Sequence, residues 1–97
     1  MKTLTDIKKR LTSHKSMLQE KYKVDQIGIF GSFIRNEQTP NSDLDILVNY
    51  TEAPDLISLI ELEYYLSEIL ELNIDLVTSN GIKSQLKNDI LKEVVYL

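Results

Sequence analysis

Asp43 and Asp45, one residue apart in the stretch SDLDILV, and Asp75, in NIDLVT, are residues whose type and spacing could do chemistry. Side chains alternate along a strand, so a D-x-D at a strand's start puts both carboxylates on one face while Leu44, Ile46 and Val48 share the other. Two like charges so placed repel unless a cation compensates, and adjacent carboxylates without a basic partner suit a hard, oxygen-seeking ion such as Mg²⁺. Asp75 lies in another apolar run, where an unpaired charge is costly to bury. Brought alongside the first two, it would complete a set able to hold two Mg²⁺ roughly 3.5–4 Å apart, an arrangement that stabilises the attacking and leaving oxygens in displacement at phosphorus. Taken singly, a D-x-D is more often a solvated strand end, and a lone strand aspartate is as often an edge position facing water as a site residue.

Upstream, Gly31 and Ser32 close the apolar run that ends at Phe30. Glycine lets the backbone approach a ligand closely, and a turn that opens a helix can aim N–H groups at a phosphate. Ser32 adds a hydroxyl donor. Residues 31–41 alone join the first two strands, so those strands are expected to run antiparallel, bringing the end of one and the start of the next to the same edge of the sheet. Phosphate turn and carboxylates would then be neighbours. Gly-Ser alone is a common turn signal; Gly-Ser followed at this distance by Ser42-Asp43-x-Asp45 is far more specific. Phosphoryl chemistry needs mainly positioning and charge stabilisation, so a chain with no cysteine and one histidine remains competent for it.

These residues need a sheet to hold them. Val24 to Phe30, Ser42 to Asn49 and Asn73 to Thr78 read as strands, separated by Gly31, the Thr39-Pro40-Asn41 turn signal and a long apolar-periodic segment. Leu4, Ile7, Leu11, Leu18 and Tyr22 recur at helical steps, predicting one amphipathic helix over residues 4–21. Residues 54–70 predict another, with Pro54 in its first turn and Leu56, Leu59, Ile60, Leu66, Ile69 and Leu70 on a wide apolar face. Ile82, Leu86, Ile90 and Val94 predict a last helix. The order is α-β-α-β-α-β-α, with a short turn or helix after Gly31. An α/β (α+β) domain follows, with a small mixed sheet of three strands or slightly more packed with helices.

With 97 residues and 42% apolar composition, residues 1–97 read as a single domain with one core. The absence of cysteine removes disulfides and thiolate metal sites, and a cytoplasmic address is the default expectation. No apolar run approaches the roughly 20 residues of a membrane span, and the start is too charged for a signal peptide. Net charge is -4, which disfavours a sequence-independent grip on nucleic acid. The balance is uneven: residues 1–23 carry seven of the eleven Lys+Arg against Asp6 and Glu20, so a +5 arm sits on a -9 body. Lys8, Lys9 and Arg10 read first as a solvated face, with a partner-binding role left open. His14 reads as packed and structural; Tyr64 and Tyr65 read as core or contact surface.

The composite G-S-F-x-R-x(6)-S-D-x-D-I-L-V, followed by I-D-L-V-T and a terminal I-L-K-E-V-V-Y-L helix, resembles the minimal nucleotidyltransferase (MNT) family of the DNA polymerase β-like superfamily. The likeness runs from about Val24 to Leu97. It implies the nucleotidyltransferase fold, Gly31 and Ser32 holding a triphosphate with Ser42 beside them, and Arg35 touching phosphate. It also implies that Asp43 and Asp45 bind Mg²⁺ and that Asp75 completes the catalytic site near the incoming hydroxyl. The family commonly supplies antitoxins encoded beside HEPN-domain ribonuclease toxins, so the resemblance implies a type VII-like antitoxin that moves AMP from ATP to a toxin tyrosine. Two departures stand out: members usually have a small residue before the arginine and a glycine after it, where this chain has Ile34 and Asn36. Asn tolerates a left-handed backbone, so the loop is expected to survive, whereas Ile34 is expected to narrow the nucleotide entrance. The alternative from another class is a catalytically weak antitoxin that neutralises its toxin by covering it. Nucleotide transfer to RNA is weaker still on an acidic body, and self-association is left open.

Overall fold

Alternating apolar positions build the sheet on which everything else is hung. The computed structural model describes residues 3–82 and 84–97, so Lys2 of the basic cluster lies outside the described residues. Four strands, β1 (Val24–Phe30), β2 (Leu44–Tyr50), β3 (Ile74–Thr78) and β4 (Val95–Tyr96), form one mixed sheet in the order β3-β2-β1-β4. β1 and β2 are antiparallel, as the short connection predicts. β2 and β3 are parallel, which requires a crossover, and helix α4 (Leu56–Leu70) supplies it.

Ile27 and Ile29 of β1, Leu44, Ile46 and Val48 of β2, and Ile74 of β3 turn one face of the sheet toward the helices. There they meet Ile7 and Leu11 of α1 (Leu4–Ser13), Leu18 of α2 (Lys15–Tyr22), and Leu62, Leu66 and Leu70 of α4. The intervening strand residues, Phe30, Asp45 and Asp75 among them, therefore belong to the opposite face. Among the described residues no helix is long and apolar enough to cross a membrane.

Three local expectations are corrected. The single amphipathic helix over 4–21 is two helices, broken at His14 (φ -100°, ψ 2°). Ser13 Oγ donates back to the Arg10 carbonyl at 2.8 Å, a bond that competes with the helical ladder, and His14 Nδ1 lies 2.7 Å from the Tyr65 hydroxyl. His14 is thus a packed structural residue, as read from the sequence. Second, Pro54 precedes helix α4: Asp55 is the cap, its carboxylate accepting from the Ser58 N–H at 2.7 Å.

Third, the terminal helix does not run to the end of the chain. Helix α5 (Ser84–Glu93) stops, and Val95–Tyr96 pairs with Gly28 and Ile29 of β1 as a fourth strand. Gly28 makes room for this: a Cβ there would lie 2.6 Å from Val94 Cγ2. β-branched Val94 and Val95 favour the extended form once an edge is available. The end is tied down further by the Leu97 N–H on the Ile27 carbonyl at 2.9 Å and by Lys15 Nζ on the Leu97 carbonyl at 2.7 Å.

Leu66 is fully buried at the centre of the helix-facing core. Leu66→Ala is expected to lower unfolding free energy by about 2–5 kcal/mol, read from urea melts as a lower midpoint with an unchanged slope.

Candidate active site

Asp45 and Asp75 occupy the same level of adjacent parallel strands: the register pairs Asp45 with Asp75, between Leu44 with Ile74 and Ile46 with Leu76. A crossover helix and matched alternation are enough to set the two carboxylates side by side on the open face. The Asp75 carboxylate is close enough to disfavour the charged form of Asp45. Partial burial pushes Asp45 up to about 6, with the hydrogen bond to Asp75 and the charges of Asp75 and Asp43 adding to the rise and the Arg35 charge opposing it.

Asp43 departs from the expected geometry. β2 begins at Leu44, so Asp43 stands in the loop just before the strand. It lines an open groove of about 530 Å³ with Ile60, Glu63, Tyr64, Ser67, Asn73 and Ile74, although its charge still reaches Asp45. Among the described residues the acids are therefore not gathered into a preformed cage of three. Asp45 and Asp75 make the pair, with Asp43 one step out. The donor chemistry nonetheless fits a hard divalent cation: two adjacent carboxylates are ligands that such an ion relieves of repulsion.

Gly31 brings the turn to this pair. It has φ 83° and ψ -152°, a conformation closed to most L-residues, and it caps α3 (Ser32–Arg35). A Cβ at Gly31 would collide with the Asp45 carboxylate, so absence of a side chain lets backbone and acid touch. The neighbourhood expected for a Gly-Ser turn and a D-x-D is therefore realised at Asp45. Ser32 opens α3, whose first amides have no acceptor within the helix. Asn36 ends α3 in the left-handed conformation, φ 58°, as its residue type predicted. Ile34 is half-buried and packs against the hydrophobic core.

The two other candidates are engaged within the protein. Ser42 Oγ accepts from the Thr39 N–H at 2.8 Å and closes the turn that carries Pro40. Arg35 Nη1 donates to Glu93 Oε1 at 2.7 Å, and its Nε lies 3.4 Å from Glu37 Oε2. The sequence reading missed Glu93, which carries no periodicity or motif signal of its own; an acid closing a helix against an arginine 58 positions away becomes visible only in space.

A family model described as a nucleotidyltransferase domain matches residues 11–97. The chain belongs to the nucleotidyltransferase family. Protein adenylyltransferase MntA of Thermococcus cleftensis is 46% identical to it over 97 residues, covering 100% of this chain and 98% of that relative. Among solved structures, a minimal nucleotidyltransferase superposes with a TM-score of 0.85 at 27% identity, over 99% of this chain and 97% of the other. The MNT antitoxin bound to a tri-AMPylated HEPN toxin of Shewanella oneidensis shares the fold, with TM-score 0.69 and 22% identity over 93% of this chain and 69% of that one.

The raised Asp45 carboxyl makes a signed statement about this nucleotidyltransferase. Between about pH 4 and 6 the folded protein holds a proton that the unfolded chain releases, so this contribution to stability is full below about pH 4 and lost as pH rises through 6. In metal-free buffer at pH 7.5, Asp45→Asn is expected to stabilise the fold by about 1–2 kcal/mol, allowing for solvent screening. Thermal melts across pH should show that advantage vanishing near pH 4.

Proposed function

We propose that this nucleotidyltransferase is an ATP- and Mg²⁺-dependent adenylyltransferase and an antitoxin, transferring AMP to a tyrosine hydroxyl of a partner HEPN ribonuclease toxin. The observation that carries the reading is the Asp45–Asp75 pair set in register against the Gly31 turn. The name of the Thermococcus relative and the AMPylated toxin in the Shewanella complex support the nucleotide and the acceptor.

In this reading the turn at Gly31 and Ser32 receives the triphosphate, with backbone free to approach because Gly31 has no side chain. Ser42 and Arg35 shape the walls, Ser42 by holding the 39–42 turn and Arg35 by setting a positive charge near Asp45. Asp43, Asp45 and Asp75 would hold Mg²⁺, two ions in the full arrangement, which neutralise charge on the phosphates and stabilise attacking and leaving oxygens. Asp75, on the edge strand of the sheet, is the acid an incoming hydroxyl meets first, and it takes the phenolic proton. The tyrosine oxygen bonds to the α-phosphorus, the bond from that phosphorus to the bridging oxygen breaks, and pyrophosphate leaves.

In this reading the partner brings the acceptor hydroxyl to this face. Exposed Leu56, Ile57, Ile60 and Tyr64 give α4 an uncovered apolar stripe bordering the groove that Asp43 lines, which supports a protein acceptor over RNA. ATP as substrate places the reaction in the cytoplasm.

Incubation with ATP labelled at the α-phosphate, Mg²⁺ and the cognate toxin should label the toxin, and the variant carrying Asp43→Ala with Asp45→Ala should reduce labelling at least about 10²-fold. Undiminished labelling by the double variant would end the proposal. A double variant that labels nothing yet still neutralises the toxin in cells at normal expression would favour inhibition by covering.

A further inference from the structure

We infer that Glu93 is a positioning residue of the active site: acting through Arg35, it fixes the one-turn helix after Gly31 in the orientation that presents Ser32 and the Gly31 backbone beside Asp45. The inference rests on the proposed nucleotidyl transfer for its catalytic readout and on geometry alone for the rest.

Helix α3 has four residues, too few to hold themselves in place by backbone hydrogen bonds. It hangs between two left-handed residues, Gly31 (φ 83°) and Asn36 (φ 58°), so small changes at either end would re-aim it. One side is anchored by Phe33, which is buried. The other is anchored by Arg35, through the 2.7 Å bond to Glu93 and the longer contact to Glu37.

Exposure shows which partner is the fixed one. The Glu93 side chain is 20% exposed, against 49% for Arg35 and 64% for Glu37. Glu93 is the last residue of α5 and lies two residues before the Ile29–Val95 pairing that stitches β4 to the sheet. The far end of the chain is thus clamped to β1, and Arg35 reaches over to it. Because β1 also delivers Gly31, the clamp closes a loop: sheet, turn, Arg35, Glu93 and back to the sheet. An exposed ion pair of this type adds little to global stability. Its effect is geometric, since a misplacement of about 1 Å in a positioning element can cost about 10²-fold in rate.

The test uses Glu93→Gln and the shorter but still charged Glu93→Asp. In nucleotide-free protein, amide exchange at Ile34, Arg35 and Glu37, whose N–H groups bond back to Gly31 and Ser32 carbonyls, is expected to quicken about tenfold in Glu93→Gln with little change in Tm. With Mg²⁺ and toxin present, KM for ATP should rise about tenfold with a smaller change in kcat, the split expected when a ground-state phosphate cradle is loosened. Glu93→Asp should fall between wild type and Glu93→Gln in both readouts. Unchanged exchange at the three amides in both Glu93 single variants overturns the inference. Quickened exchange with an unchanged KM for ATP overturns it too, because the turn would then move without affecting the nucleotide. If the wild-type protein transfers no AMP, the proposed function falls, and the exchange measurement decides the role of Glu93 alone.

Discussion

Two carboxylates facing each other across a parallel strand pair is the constraint from which the rest of this molecule follows. Asp45 and Asp75 meet only because β2 and β3 run in the same direction and in matched register. Parallel strands cannot be joined by a tight turn, so α4 must cross over, and its buried Leu62, Leu66 and Leu70 are what pin that crossover to the sheet. The helical core is, in this sense, the scaffold of an electrostatic conflict placed on the opposite face. Partial burial first, and that conflict second, raise the Asp45 carboxyl, which keeps a proton to higher pH than an exposed aspartate does.

Strain of a second kind collects at the same place. Gly31 takes a positive φ and lies against the Asp45 carboxylate, and Asn36 and the Arg35–Glu93 pair hold the short helix that follows. A protein that served only its own stability would have no reason to press a carboxylate into a backbone turn beside a second acid. Local features that disagree with local preference, concentrated at one edge of an otherwise consistent fold, are the signature of a functional site.

The chemistry and the surface point the same way. Nucleotidyl transfer asks of the protein chiefly that charges and reacting groups be held in place, which three acids and a glycine turn can do without thiol or imidazole. The surface carries an exposed apolar stripe on α4 and a groove running from Ile60 and Tyr64 to Asp43.

The amino-acid sequence by itself determined the identity of β1, β2 and β3, the antiparallel run of β1 into β2, the left-handed Asn36 and the candidate acids, because each is written in short-range patterns of alternation, turn chemistry and spacing. It did not determine the break at His14, where a side chain–backbone bond and a tyrosine 51 residues away compete with helical periodicity. Nor could periodicity foresee β4, since four-residue spacing through Val94 reads as helix until Gly28 offers an open strand edge. Only the tertiary structure set Asp43 apart from the Asp45–Asp75 pair and turned Arg35 toward Glu93. The reason is physical: alternation fixes which face a side chain takes, whereas distance between side chains far apart in the chain is fixed by how strands register and how the ends of the chain close on the sheet.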